Sequence, residues 1–169
     1  PFPASQGKSS AEGPYTRFQM DLIDMKNSPS KGMSVILVLV DVFTRRAWCE
    51  AAVSKTPESI AKTLRPMLNA LPKLPDVIFS DAGNEFVGDT TLLLEEKGIV
   101  QQTRSDKHDV NVLAVIDRAI QNLKGHLAKV IAAEGGEWKD RLKSTTDGYN
   151  AKDHSTVHGE PNDAANDGV

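Results

Sequence analysis

The chain has 169 residues and a mass of 18.3 kDa, enough for one domain with a substantial hydrophobic core and too little for two full domains. Hydrophobic residues make up 39% and charged residues 25%, which excludes a chain that is disordered or fibrous throughout. The longest apolar run, residues 35–40, is far too short to cross a membrane. The single cysteine, Cys49, excludes an internal disulfide and every zinc site that needs paired thiolates.

The net charge of −3 argues against a protein that coats nucleic acid by bulk electrostatics. The negative charge is concentrated at the carboxyl end, where residues 146–169 contain five acids and one lysine, and residues 1–145 carry a net charge of +1. Composition predicts a flexible amino-terminal segment (residues 1–14) rich in Pro, Gly and Ser, a folded body (residues 15–150) and an acidic extension (residues 151–169).

The first half of the body predicts three strands. Residues 17–25 alternate between apolar and polar side chains, and residues 35–43 form a dense β-branched run, typical of a strand buried on both faces. A third strand is predicted over residues 47–53. Because the connections are short and residues 27–32 have turn-forming composition, we expect an antiparallel meander.

The second half alternates helices and strands. Thr56 followed by Pro57 predicts the start of a helix that ends near Leu71. The later elements are a strand at 77–79, a helix at 90–97, a strand at 99–103 and helices at 110–133 and 138–149. This order predicts an α/β fold, a mixed five-stranded sheet with helices on both faces, as in the ribonuclease H-like fold.

Three acids lie where these elements would bring them together. Asp21 is inside the first strand, where a carboxylate is costly unless it faces a cleft or a cation. Asp81 follows the strand at 77–79, at the sheet edge where α/β ligand sites form. Asp117 lies at the border of the apolar stripe of the long helix. Each also has a structural interpretation: a paired strand acid, a turn or cap residue, and a solvated helix acid, respectively.

Carboxylates from three separate segments can hold magnesium, which prefers oxygen ligands and keeps several waters. Paired ions of this kind activate an attacking oxygen and stabilise a leaving one in phosphodiester chemistry. Two neighbouring acids are interpreted differently. Asp24 should point to the opposite face of the strand from Asp21, and Asp41 is expected to anchor the turn after the second strand.

Four ordered motifs resemble the catalytic core of the D-D-E integrase family of retroviruses and retrotransposons. They are Phe18-Gln19-Met20-Asp21-Leu22, the run at 35–45 that ends in Asp-Val-Phe-Thr-Arg, Phe79-Ser80-Asp81-Ala82-Gly83-Asn84-Glu85-Phe86, and Ile116-Asp117-Arg118 continuing to Lys124. The 35 residues between Asp81 and Asp117 match the usual interval of the family. The segment 149–163 is similar to the ending of integrases from Polinton (Maverick) elements.

The resemblance implies metal-dependent processing of DNA 3′ ends and strand transfer for a mobile element. Asp21, Asp81 and Asp117 would be the catalytic acids and the ligands of two Mg²⁺ or Mn²⁺ ions. The family also implies DNA as partner (element ends and target), a homodimer or higher oligomer, flanking domains in a longer protein, no membrane, and an intracellular, nuclear location. Lys124, about two turns after Asp117 on nearly the same side of the long helix, would contact a DNA phosphate, or else is an ordinary solvated lysine. The start of that helix is flanked by three further candidates for DNA contact, Arg118, Lys107 and His108.

The chain departs from the family pattern at two positions near the acids. Asp117 stands where the family has glutamate, and Ala82 replaces the asparagine after the second acid. Because aspartate is one methylene shorter, its carboxylate reaches about 1.5 Å less. Two alternatives therefore stay open: an integrase-like domain that has become a non-catalytic interaction module, and a nuclease that cuts without strand transfer.

Overall fold

The computed structural model describes residues 13–103 and 114–152. Five strands form one sheet: β1 (Arg17–Asp24), β2 (Val35–Asp41), β3 (Ala47–Ala52), β4 (Val77–Ser80) and β5 (Val100–Thr103). The α-helices are α1 (Pro57–Asn69), α2 (Asp89–Glu96), α3 (Ala114–Glu134) and α4 (Trp138–Asn150), and a single 3₁₀ turn (Asn84–Phe86) follows β4.

The strand order is β3-β2-β1-β4-β5. The first three strands are antiparallel, whereas β4 pairs in parallel with β1, and β5 pairs in parallel with β4. This confirms the predicted meander and the mixed five-stranded sheet. The order also places β1, which contains Asp21, between an antiparallel and a parallel neighbour at the middle of the sheet.

A hydrophobic layer covers each face of the sheet. On one face Phe18 and Met20 of β1 pack in a cluster with buried residues of α1 and α2, such as Leu64 and Leu94. On the other face Ile23 lies in a cluster with residues of α3 and α4. Since side chains alternate along a strand, Gln19 and Asp21 share the face of Ile23, which is the face covered by α3.

The second strand ends earlier than the sequence predicts. β2 stops at Asp41 because the buried Asp41 carboxylate accepts hydrogen bonds from the backbone N–H groups of Phe43 (2.8 Å) and Thr44 (3.4 Å) and turns the chain. A third bond, from the Tyr15 N–H at 2.9 Å, ties the same carboxylate to the start of β1. Asp41 is thus confirmed as the anchor of this turn.

The helices follow the predicted order with small shifts at their ends. Thr56 is confirmed as the N-cap of α1, since its hydroxyl accepts from the Ser59 N–H at 3.2 Å. The predicted start of the long helix, residues 110–113, lies outside the described residues, as do residues 1–12 of the amino-terminal segment and 153–169 of the acidic extension. Across the described ranges, no helix is long and apolar enough to cross a membrane.

Candidate active site

The register of two parallel strands brings the first two acids together. β1 and β4 pair Arg17 with Val77 and Gln19 with Phe79, an offset of 60 residues. Continued by two residues, the same register sets Asp21 beside Asp81, the first residue after β4. Neighbouring strands lie about 4.8 Å apart, so the two acids occupy adjacent positions at the carboxyl end of β4.

The third acid reaches this edge through the packing of α3 on β1. The backbone N–H of Ile116 donates a hydrogen bond of 2.8 Å to Oε1 of Gln19. Gln19 is buried, with 2% of its surface exposed, and lies two residues before Asp21 on the same face of β1. Asp117 directly follows Ile116, and its charge acts on the Asp21 carboxyl.

Burial and like charges both act on Asp21. Burial is the largest effect, and together with the charges of Asp81, Asp117 and Glu85 it raises the pKa of Asp21 to about 6, although the N–H of Leu22 donates to this carboxylate at 2.8 Å and opposes the shift. A carboxyl group with a pKa this high gains from a bound cation, because the cation offsets both the lost hydration and the repulsion.

Glu85 is a fourth acid at this edge, and the sequence patterns did not single it out. Its carboxylate lies over Gly83, so closely that a Cβ added to Gly83 would be 2.5 Å from a carboxylate oxygen. No periodic pattern in the sequence indicates this position, because Asp81 lies outside the short 3₁₀ turn that contains Glu85. The 3₁₀ turn after Gly83 produces that proximity.

Lys55, in the loop between β3 and α1, is the second residue that the patterns missed. Its Nζ is 2.9 Å from Oδ2 of Asp24. This hydrogen bond is the main cause of the raised pKa of Lys55, and the charges of Glu85 and Asp21 contribute further. Asp24 is exposed, and the alternation of side chains along β1 puts it on the opposite face from Asp21, as predicted.

Of the four residues predicted to contact DNA, the structure describes Lys124 and Arg118. Lys124 is exposed on α3, seven residues after Asp117 and therefore about two turns further along the same side. Arg118 is also exposed. Burial lowers the pKa of Arg45, and the charge of Arg118 lowers it further. Arg118 therefore lies near Arg45 of the turn between β2 and β3. Lys107 and His108 lie outside the described residues.

The four acids have the ligand atoms that a hard divalent cation prefers, but their side chains are not arranged around a common point. Asp21, Asp81, Asp117 and Glu85 offer oxygen ligands alone, which magnesium and manganese prefer. Yet within residues 13–103 and 114–152 no group of three or more His, Cys, Asp or Glu side chains is arranged to hold a metal ion. Since Asp81 and Asp117 are exposed, their side chains have space to rotate toward Asp21.

Comparison with known proteins agrees with this fold. The chain is 28% identical over 120 residues to a transposon-derived protein of Caenorhabditis elegans, a match over 70% of this chain and 41% of that protein. It is 24% identical over 131 residues to the Pro-Pol polyprotein of feline foamy virus, covering 78% of this chain and 11% of the polyprotein. The chain therefore spans less than half the length of either relative.

Among solved structures, the crystal structure of the catalytic core domain of BIV integrase superposes with a TM-score of 0.70. The superposition covers 88% of this chain and 92% of that one at 19% identity, which establishes the ribonuclease H-like fold. Residues 11–109 match the integrase core domain family. With more than half of its length matching that family, the chain belongs to the integrase core domain proteins.

Proposed function

We propose that this chain is the catalytic core of a mobile-element integrase that processes DNA 3′ ends and joins them to target DNA with divalent metal ions. The observation that supports it most is the β1–β4 register, which sets Asp21 beside Asp81 at the edge that Asp117 also reaches. The match to the integrase core domain supports the same reaction class.

In this proposal Asp21, Asp81 and Asp117 hold two Mg²⁺ or Mn²⁺ ions. When bound, the ions activate the attacking water or 3′-hydroxyl and stabilise the leaving oxygen. The DNA backbone phosphates are bound by four basic residues, Lys124, Arg118, Lys107 and His108. These contacts fix the position of the DNA without reading its sequence. No protein nucleophile is needed, because the oxygen that attacks phosphorus belongs to water or to DNA.

We further propose an element of the Polinton type, on the similarity of segment 149–163, with action in the nucleus as expected for a eukaryotic element. The transposon-derived and Pro-Pol relatives support a mobile-element origin. DNA affinity should come in large part from other domains of a longer protein and from a second subunit, because residues 1–145 carry a net charge of only +1.

Self-association is proposed through the face formed by β3, α1 and α4. β3 is the edge strand of the sheet, and edge strands are common sites of pairing between chains. Its first residue, Ala47, is already bonded through its N–H and C=O to Asn150 of α4, so pairing would use the part of the strand after Ala47. A groove of about 590 Å³ follows this strand and is lined by Trp48 and Cys49 of β3, Met67 of α1 and Leu142 of α4. Charged side chains of both signs, among them Glu50 and Lys143, also line the groove. An edge strand beside a groove with apolar and charged walls fits a second copy of the chain.

A joining assay tests the proposed function. The purified chain is incubated with Mn²⁺, a labelled duplex oligonucleotide and a supercoiled plasmid, and joined product is measured. Asp81→Asn should abolish joining, whereas Asp76→Asn, the same change at the opposite and exposed end of β4, should leave it unchanged. Nicking of the plasmid without joining would instead indicate the nuclease.

The shorter third acid is tested in the same assay. If the three-aspartate site is active as it stands, Asp117→Glu should reduce joining, because the longer side chain misplaces the carboxylate by about 1.5 Å. If only Asp117→Glu is active, the chain is a degenerate integrase. If neither it nor the unchanged chain joins or cuts DNA, and neither binds Mn²⁺, the non-catalytic interaction module is favoured.

A further inference from the structure

We propose that Gln19 is a positioning residue that holds Asp117, the third acid, at the active site. This inference rests on the proposed function, since it assumes that Asp117 is a metal ligand. It assigns a role to the glutamine of the Gln-Met-Asp segment in β1, where Asp21 is the first acid.

The geometry connects the two acids through one strand. Asp21 belongs to β1, so the strand itself sets its position. Asp117 belongs to α3, and the Gln19 side chain joins the two elements, since its Oε1 accepts the Ile116 N–H at 2.8 Å. This contact fixes α3 relative to β1 at the residue directly before Asp117.

The Asp117 side chain is not held in place by a contact of its own within the described residues. Within the described residues, the Asp117 carboxylate has neither a hydrogen bond nor an ion pair, and the residue is exposed. Its position relative to Asp21 is therefore set by the backbone of the first described turn of α3. The Gln19 bond is buried at that turn, where water cannot compete for the Ile116 N–H.

Burial of the glutamine argues that its polar end is needed. Gln19 has 2% of its surface exposed, and Ile23, on the same face of β1, packs against Ile116 and Leu123 of α3 in an apolar cluster. An aliphatic side chain would fill this position without the cost of desolvating an amide. The gain from the amide is a directional bond, which sets both the height and the rotation of α3 over β1.

Because Asp117 has a short side chain, the position of the α3 backbone matters more for metal binding. Metal ligands have to be held within about 0.5 Å of the productive geometry. Aspartate has one fewer rotatable bond than glutamate, so it corrects less for an error in the backbone. Removing the bond from Gln19 should therefore weaken metal binding even if α3 stays folded and packed.

The test measures Mn²⁺ affinity of the chain by calorimetry together with its thermal unfolding temperature without metal. Gln19→Met keeps the side-chain length and removes the acceptor, and we expect it to weaken Mn²⁺ binding about 10- to 100-fold, the usual effect of losing a group that orients a metal ligand. Gln19→Glu keeps an acceptor oxygen at the same length and should bind Mn²⁺ more tightly than Gln19→Met.

The matched control is Asn150→Leu. Asn150 is also a buried amide, and it bonds to the backbone N–H and C=O of Ala47 at 2.8 and 2.9 Å, so it fixes α4 to β3. This variant should lower the unfolding temperature and leave Mn²⁺ affinity within twofold. Unchanged Mn²⁺ affinity in Gln19→Met, or equal losses in Gln19→Met and Asn150→Leu, would overturn the inference.

The same titration separates the two proposals. If the unchanged chain binds no Mn²⁺, the proposed metal-dependent function fails, and the role of Gln19 fails with it. If the unchanged chain binds Mn²⁺ and Gln19→Met binds it equally well, only the role of Gln19 is wrong.

Discussion

At the scale of single residues, the site is defined by carboxylates that repel one another. Asp21 is the most affected, because it is partly buried and lies within reach of Asp81, Asp117 and Glu85. In the absence of a cation, the ionised form of Asp21 therefore costs folding free energy. Repulsion of this kind is common where proteins bind divalent cations, since the bound charge removes it.

The raised pKa of Asp21 predicts how stability depends on pH. The folded pKa of about 6 lies above the ordinary aspartate pKa of 3.8, so the folded state holds the proton more tightly than the unfolded state. The stabilising contribution is complete below about pH 3.8 and is lost as pH rises through 6. We expect this contribution to be about 2 kcal/mol, below the value for the full shift because the carboxyl is partly exposed.

Urea unfolding at several pH values between 4 and 7, without metal, measures this effect. Asp21→Asn, which cannot ionise, should be more stable than the unchanged chain at pH 7 and should lose this part of the pH dependence. Adding Mg²⁺ at pH 7 should stabilise the unchanged chain more than the variant. Equal pH profiles for the two proteins would contradict the raised pKa.

Lys55 is a cation near the carboxylates that a metal ion would bind, so its charge should oppose metal binding. Its charge acts on Glu85 and Asp21 as well as on its ion-pair partner Asp24. Lys55→Met should therefore strengthen Mn²⁺ binding by roughly threefold, a small effect because the ammonium is solvated. Lys26→Met is the control, since Lys26 lies 4.0 Å from the same Asp24 carboxylate and should change Mn²⁺ affinity less. Equal effects in the two variants would exclude a specific role for Lys55.

Residue patterns predicted the three aspartates and not Glu85 or Lys55. The aspartates follow from strand alternation, a strand end and a helix stripe, which are periodic features of the sequence. Glu85 and Lys55 reach the site through a 3₁₀ turn and a loop, whose paths depend on local bonds such as Gly83 N–H to Asp81 Oδ1 at 3.1 Å. Such paths have no period, so sequence spacing does not reveal them.

At the scale of elements, the strand and helix order was predictable because the apolar patterns are strong. All seven residues of β2 are buried, as its β-branched run predicts. The error at its end has a specific cause: Val42 and Phe43 continue the apolar pattern, yet the Asp41 carboxylate binds the next backbone N–H groups and turns the chain. Side-chain bonds to the backbone of this kind override strand propensity.

The capping of α1 gives a prediction at this scale. Thr56 accepts from the Ser59 N–H at 3.2 Å and its Oγ1 lies 3.1 Å from Oγ of Ser54. Thr56→Ala should lower the free energy of unfolding by about 1 kcal/mol, because an N–H at the helix start loses its acceptor. Thr56→Ser keeps the acceptor and should cost less. Urea unfolding at fixed pH measures both changes, and equal losses would show that the cap is not what stabilises α1.

At the scale of the whole molecule, the charge of −3 is compatible with an integrase core. The excess of acids lies in residues 146–169, and several of the remaining acids meet at one edge of the sheet, where a metal ion would offset them. The sequence alone predicted the fold. It did not predict the groove beside β3, because the groove is formed by three elements distant in sequence.

The proposed self-association is tested at the same scale. Ala70 lines the groove and is exposed at the end of α1. Ala70→Glu should weaken dimerisation at least tenfold, since it buries an unpaired charge against the second copy. Ala128→Glu, an equivalent exposed change on α3, should leave it unchanged. Sedimentation equilibrium measures both, and a chain that stays monomeric at high micromolar concentration would contradict the proposal.

Three aspartates, one in β1, one at the end of β4 and one in α3, are proposed to bind divalent metal ions together. Anomalous diffraction from crystals soaked in Mn²⁺ tests this proposal most directly, because it locates the ions without depending on DNA ends or flanking domains. We expect anomalous density between Asp21 and Asp81, with Asp117 as a further ligand, and its loss in crystals of Asp81→Asn. Crystals with Mn²⁺ elsewhere on the protein and none between Asp21 and Asp81 would contradict it.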